Sequence, residues 1–269
     1  MICVSHLTAL DAAPEDFVDW AADAGFEGVG LRILPPKHAP DRYPVAGDIA
    51  RCRDLRARAE NAGIRIFEAE SFGIDKHTDI LSYRAALDSA AELGASVLIA
   101  GGIDDEEERL VRNYALLAEE AGQRGMTVGI EFMPIRPMAT LADAGRVQRK
   151  VDHPAAKLLI DTLHLARAGD VIDDIRALDP ANIAYIHIAD ALTAHPGAEN
   201  LPAESRVGRL YPGEGQLPLR ELFALLPADM PVSLEAPHRD QQGLQPKERL
   251  RRAGLQTRAF FDGLRAGKS

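Results

Sequence analysis

The sequence predicts a single (β/α)8 barrel running over residues 1–269. Three observations predict it. Eight short apolar runs alternate with longer segments of helical period. The length of 269 residues suits a fold that needs about 250. No linker divides the chain into two units.

The runs are 1–5, 28–33, 64–68, 96–100, 127–132, 157–161, 183–189 and 231–235. They are rich in Val and Ile and alternate little, as parallel strands buried on both faces do. The first helix is expected at 14–24, with Pro14 at its first position and Gly25 past its end. Phe17, Trp20, Ala21 and Ala24 share one face, which should pack on the barrel. Helices at 48–62, 79–93 and 105–124 stop before Gly63, Gly94 and Gly125, where a left-handed residue suits a helix end. Weaker helical patterns cover 140–151, 168–178, 218–226 and 246–265. The run Asp104 to Arg109 reads as an acidic first helical turn, favoured by the helix dipole. An open doubly wound sheet would carry a Gly-rich turn after its first strand, and Ser5-His6-Leu7-Thr8-Ala9-Leu10 is no such turn. The long connections 34–47 and 190–217 are expected at the rim of an active site.

The composition, 46% hydrophobic and 27% charged, is that of a soluble globular protein. A formal net charge of −10 argues against nucleic acid and against an anionic membrane surface as partners. Cys3 and Cys52 form neither a CxxC pair nor a disulfide framework, and read as idle thiols of a reducing compartment. The chain opens on a strand rather than a signal peptide, and no apolar run reaches the roughly 18 residues of a membrane span. A cytoplasmic location is the expectation.

The chemistry lies at the strand ends, because in a barrel the C-terminal ends of the strands face the catalytic mouth. Four late strands end in metal-ligand types: Glu131, Asp161, His187 and Glu235. Taken alone, each has an ordinary reading. A glutamate can be a solvated rim residue, a histidine a hydrogen-bonded core residue, and Asp161 a helix cap. Taken together they point to a divalent cation, because buried carboxylates are costly unless paired, hydrogen-bonded or on a metal. Three carboxylates and one imidazole suit Mn²⁺, Mg²⁺ or Co²⁺, and also Zn²⁺.

Through these residues the chain resembles the xylose-isomerase-like barrels: sugar isomerases, ketose epimerases, inosose dehydratases and their relatives. The resemblance covers most of the chain and is strongest from Gly129 to Pro237. It implies one divalent ion, Mn²⁺ first, on Glu131, Asp161, His187 and Glu235. It implies substrate contacts from His164 in D-T-L-H and from Arg209 in R-L-Y-P-G-E-G. It implies that Glu131 and Glu235 are the catalytic pair, one removing and one returning a proton beside a carbonyl through a metal-stabilised enediolate. The implied function is a sugar isomerase or epimerase acting on a small polyhydroxylated ketone or a cyclitol-like relative. The alternative is a dehydratase of inosose or 3-dehydroshikimate type, and the third reading is a non-catalytic barrel subunit. Homo-oligomers are common among such barrels.

His6, Glu70 with its neighbour Glu68, and Arg136 are further pocket candidates, and Arg239 is placed to meet an anionic group. Glu68 and Glu70 read equally well as surface carboxylates before a loop. Asp190 is expected to bond His187 or to cap the long loop, and His38, His77, His153 and His195 to lie on the surface. Two departures from the family bear on substrate. Pro137 stands six residues past Glu131, where ketose epimerases carry a further substrate-binding glutamate, which weighs against a free ketohexose. Strands three and four lack the extra histidines of the trinuclear endonucleases of this fold, which weighs against DNA repair.

Overall fold

A computed structural model describes residues 1–35 and 41–266. His38 and part of the 34–47 connection lie outside the described residues. The strands are β1 (Ile2–Val4), β2 (Gly28–Arg32), β3 (Arg65–Ile74), β4 (Val97–Gly102), β5 (Thr127–Glu131), β6 (Ala156–Asp161), β7 (Ile183–Ile188) and β8 (Val232–Leu234). All neighbours pair in parallel, and β8 pairs with β1 to close the barrel. The helices are α1 (Pro14–Asp23), α2 (Ile49–Asn61), α3 (Arg84–Leu93), α4 (Glu107–Gly122), α5 (Leu141–Val151), α6 (Thr162–Ala168), α7 (Ile172–Arg176), α8 (Leu201–Val207), α9 (Leu219–Leu225) and α10 (Pro246–Ala266). Among the described residues no helix is long and apolar enough to cross a membrane.

The glycines expected past the first four helices all take positive φ, between 70° and 83°. On α1, Phe17, Ala21 and Ala24 are buried against the barrel, while Trp20 is half-buried. Helix α4 starts at Glu107, so Asp104 lies before its first turn and pairs with Arg109 at 2.6 Å.

Two expected boundaries move. The third strand, expected to end at 68, continues to Ile74. Glu68 and Glu70 are therefore interior strand residues, both 0% exposed, and not surface groups before a loop. The helix expected at 168–178 forms only over 172–176, as α7, and α6 precedes it where no helix was expected. Helix α6 begins directly after β6, because the Asp161 side chain accepts from the Leu163 and His164 amides at 2.7 and 3.1 Å. It ends at Gly169, with φ 78°, before α7 restarts.

Side chains two apart on a strand share a face. Cys3, Leu159 and Tyr185 thus point inward with Phe67, Val97 and Ile99, filling the barrel beneath the strand ends. Their successors by two, Ser5, Asp161 and His187, form the polar layer above that apolar plug. Both cysteines are buried and free, and burial raises the Cys3 thiol far above its usual range.

Candidate metal centre

Glu131, Asp161, His187 and Glu235 converge at the C-terminal ends of β5, β6, β7 and β8. Each offers one ligand atom, and these atoms all lie within 4.8 Å of one another. All four residues are buried, none more than 5% exposed. His187 Nδ1 stands 3.6 Å from Glu235 Oε1 and 4.0 Å from Glu131 Oε1. It is buried and has no hydrogen-bond partner. A divalent cation fits this set on two grounds. The donors are three carboxylates and an imidazole, and the one orphaned imidazole nitrogen faces the carboxylates.

Arg209 supplies the fixed counter-charge. It arrives from the long connection after β7, is 1% exposed, and donates to Asp161 Oδ2 at 2.7 Å. Its other terminal nitrogen lies 2.8 Å from Glu235 Oε2. Asp190 anchors that connection rather than touching His187. Its Oδ1 accepts from the Ala191 and Leu217 amides at 2.8 and 3.0 Å, and its Oδ2 from the Gly213 and Gly215 amides at 2.9 and 3.0 Å.

The charges are tuned by burial and by one another. Burial, then Glu235, lifts the Glu131 carboxyl to about 8. Burial also lifts Glu235, against the pull of His187 and Arg209. For His187 burial works downward, but Glu235, Glu68 and Glu131 outweigh it and raise the imidazole to about 10. Burial would raise Asp161, yet Arg209 and His164 hold it below the usual carboxylate range. His164, 3.9 Å from Asp161 through Nε2, is drawn down to about 4, chiefly by burial. It is therefore a neutral imidazole at pH 7, suited to hydrogen-bonding a substrate oxygen.

The other pocket candidates are placed as follows. Glu70 accepts from Ser5 Oγ and the His6 amide at 2.7 and 3.0 Å, and pairs with Arg32 at 3.0 Å. His6 is 1% exposed, with Nε2 near the Ala12 carbonyl and Nδ1 accepting from the Arg32 amide. Ser5 Oγ also reaches Glu235 Oε1 at 3.3 Å, so this group adjoins the four-residue cluster. Arg136 lies half-buried past β5, and Arg239 is exposed beside Asp240. His77 and His195 are exposed and His153 half-buried.

Sequence reasoning passed over Arg32, Tyr185 and Ser233. Arg32 ends β2 as the chosen residues end later strands, so the same signal could have found it. Tyr185 and Ser233 stand two residues before His187 and Glu235, on the same inward face.

Gly30 makes room for Glu68. A Cβ at Gly30 would stand 2.2 Å from Glu68 Oε1 and 2.3 Å from its Cγ. Gly30→Ala must therefore displace Glu68, with an overpacking cost of about 1–3 kcal/mol. A thermal melt should show that loss, and a crystal structure a displaced Glu68; unchanged Glu68 coordinates would contradict the expectation.

Comparisons with known proteins agree with the barrel fold. A 3-dehydroshikimate dehydratase of Pseudomonas putida (strain KT2440) is 31% identical over 158 residues, covering 55% of this chain and 24% of its own length. The chain thus spans about a quarter of that relative. The IolI protein, solved with a bound zinc atom, superposes with a TM-score of 0.80 at 16% identity, over 98% of each chain. A D-psicose 3-epimerase solved with D-fructose gives 0.71 at 17% identity, over 96% of this chain and 98% of its own. The family model described as xylose isomerase-like TIM barrel matches residues 18–258, and the chain belongs to that family.

Proposed function

We propose that this barrel is a divalent-metal-dependent enzyme that removes the proton beside the carbonyl of a small polyhydroxylated ketone. The observation that carries the reading is the convergence of Glu131, Asp161, His187 and Glu235 within 4.8 Å, with His187 Nδ1 left unpartnered. Mn²⁺ is the ion we favour, with Zn²⁺, Co²⁺ and Mg²⁺ as competitors. Such an ion would polarise the carbonyl and stabilise the charge that develops when its neighbouring carbon is deprotonated.

The protein's own groups do the rest. Glu131 and Glu235 approach from strands three apart round the barrel and carry the protons. Arg209 holds Asp161 and Glu235 in place and balances their charge. His164 is the neutral hydrogen-bond partner for a substrate oxygen.

Two fates follow deprotonation. In the one we favour, the electron pair of the broken C–H bond forms a carbon–carbon double bond. The C–O bond of the β-hydroxyl breaks, and the hydroxyl leaves as water with a proton from a carboxyl group. The 31% identical dehydratase supports this fate, as does Pro137 where ketose epimerases carry glutamate. In the second, the proton returns to the same or the neighbouring carbon, giving epimerisation or isomerisation. The presence of two proton-carrying carboxyls favours that reading.

The test is incubation of Mn²⁺-loaded protein in D₂O with 3-dehydroshikimate, an inosose and a panel of polyhydroxylated ketones. Loss of water, with an aromatic or enone absorbance, supports the lyase. An isomeric product heavier than the substrate only by the deuterium it has gained supports the isomerase. No turnover and no exchange across the panel would sink the reading.

Metal uptake should be linked to protons. Without an ion, Glu131 near 8 and His187 near 10 both hold protons at pH 7, and coordination needs both bare. Affinity for Mn²⁺ should therefore rise from pH 6 to 8, by up to roughly a hundredfold per unit when two protons leave. Calorimetry in buffers of different ionisation enthalpy measures the protons released; a pH-independent affinity would contradict the assignment.

A further inference from the structure

Beneath the four-residue cluster sits a carboxylate that the proposed chemistry does not use. Glu68 points inward from β3 beside Phe67, because a register irregularity after Ile66 breaks the strand's alternation, and it is 0% exposed. Its Oε2 lies 3.1 Å from His187 Nε2, and its Oε1 accepts from Ser233 Oγ at 2.8 Å. The Tyr185 hydroxyl closes the group, 3.2 Å from the same nitrogen of His187. Ser233 and His187 are register partners on adjacent strands, so β8 and β7 together set where Glu68 can sit. On the other side Gly30 of β2 leaves the space its carboxylate fills.

A buried carboxylate is expensive unless it works as an acceptor. Here it accepts from a serine hydroxyl and an imidazole. A carboxylate only accepts, so the proton between Glu68 and His187 belongs to Nε2. A neutral His187 then carries its lone pair on Nδ1, the atom that faces Glu131 and Glu235. Glu68 can only accept, whereas the Tyr185 hydroxyl within reach of the same nitrogen can donate as well as accept, so it is Glu68 that selects the tautomer.

We infer that Glu68 is a positioning residue: through Nε2–H it fixes the His187 ring and tautomer so that Nδ1 is the nitrogen offered to a divalent cation. This rests on the four-ligand reading proposed above. It adds to the cluster a residue from β3, on the far side of the barrel from the ligands. The carboxylate touches neither substrate nor ion. It acts through the imidazole, as acceptors behind metal-bound histidines generally do.

The test compares Glu68→Gln and Glu68→Leu with wild type, using Zn²⁺ alone as probe. Zn²⁺ affinity is measured by chelator competition, and the His187 ring nitrogens are read by ¹⁵N NMR in the zinc-loaded protein. Wild type should bind about one ion, with Nδ1 on the metal and Nε2 protonated. Glu68→Leu should bind about 10- to 100-fold more weakly and lose that single nitrogen pattern. Glu68→Gln keeps an acceptor oxygen and should keep the pattern with most of the affinity, an outcome that packing alone does not give. Wild-type affinity and an unchanged ¹⁵N pattern in Glu68→Leu overturn the inference and leave the four-ligand reading standing. Failure of wild type to bind Zn²⁺ overturns both.

Discussion

Glu131→Gln and Glu235→Gln will each lower turnover and solvent exchange of the substrate α-hydrogen by roughly a thousandfold, within the range that positioned acids and bases contribute. The substitution removes the proton carrier and the negative charge while keeping the shape of the side chain. At Glu131 it should leave the metal-free fold intact. Glu131 is raised from 4.5 to about 8, so at neutral pH it is already an uncharged carboxyl. The sign of the linkage sharpens this. A carboxyl raised in the folded state contributes stability below its unfolded value and loses it as pH climbs through the folded value. Wild type without metal should therefore weaken between pH 4.5 and 8, and Glu131→Gln should flatten that part of the curve. Glu235 is different, because Arg209 and Ser5 hold it at 2.8 and 3.3 Å, so its variant should also lose some stability. Deuterium incorporation followed by mass spectrometry, beside thermal melts across pH, separates the two effects. Exchange that persists in both variants would remove Glu131 and Glu235 from the proton transfers.

Much of the barrel could be read from the chain because its strands are apolar runs and its helices stop at glycines. What escaped the reading depends on partners far away in sequence. A carboxylate in a run normally marks the strand's exit, so β3 was expected to end at Glu68. Glu68 and Glu70 are instead satisfied inside the strand by partners 38 to 165 residues away: Arg32 and Ser5 for Glu70, and His187 and Ser233 for Glu68. No local period carries that information. Helix α6 differs, because the cap that starts it is local. From the sequence Asp161 reads as a ligand or a cap, and in the fold its two oxygens divide the work. Oδ1 caps α6, and Oδ2 faces Arg209. The four strand-end residues stood out because they interrupt apolar runs at one end of the barrel. Arg32 interrupts its run in the same way, and its pairing with Glu70 shows that this signal marks buried ion pairs as well as ligands.

Arg209→Ala will destabilise the metal-free protein by about 3–5 kcal/mol, because it leaves two buried carboxylates without their counter-charge. At this chain length that is a fall in Tm of roughly 6–20 °C. Lysine should rescue little of it. The two terminal nitrogens of Arg209 reach Asp161 and Glu235 separately, at 2.7 and 2.8 Å, and a single ammonium cannot span both in that fork. Added metal discriminates charge from packing. If Arg209 is mainly a counter-charge, its removal makes the cluster more negative, and a divalent ion then binds more tightly and restores much of the lost stability. Turnover should still fall, since Asp161 and Glu235 lose the group that holds them both in place. If Arg209 is mainly a packing element, Mn²⁺ will raise the Tm of Arg209→Ala no more than it raises that of wild type. The pair of melts, with and without Mn²⁺, therefore reports whether the site was built around a positive charge at its centre, supplied in part by Arg209 and completed by a cation.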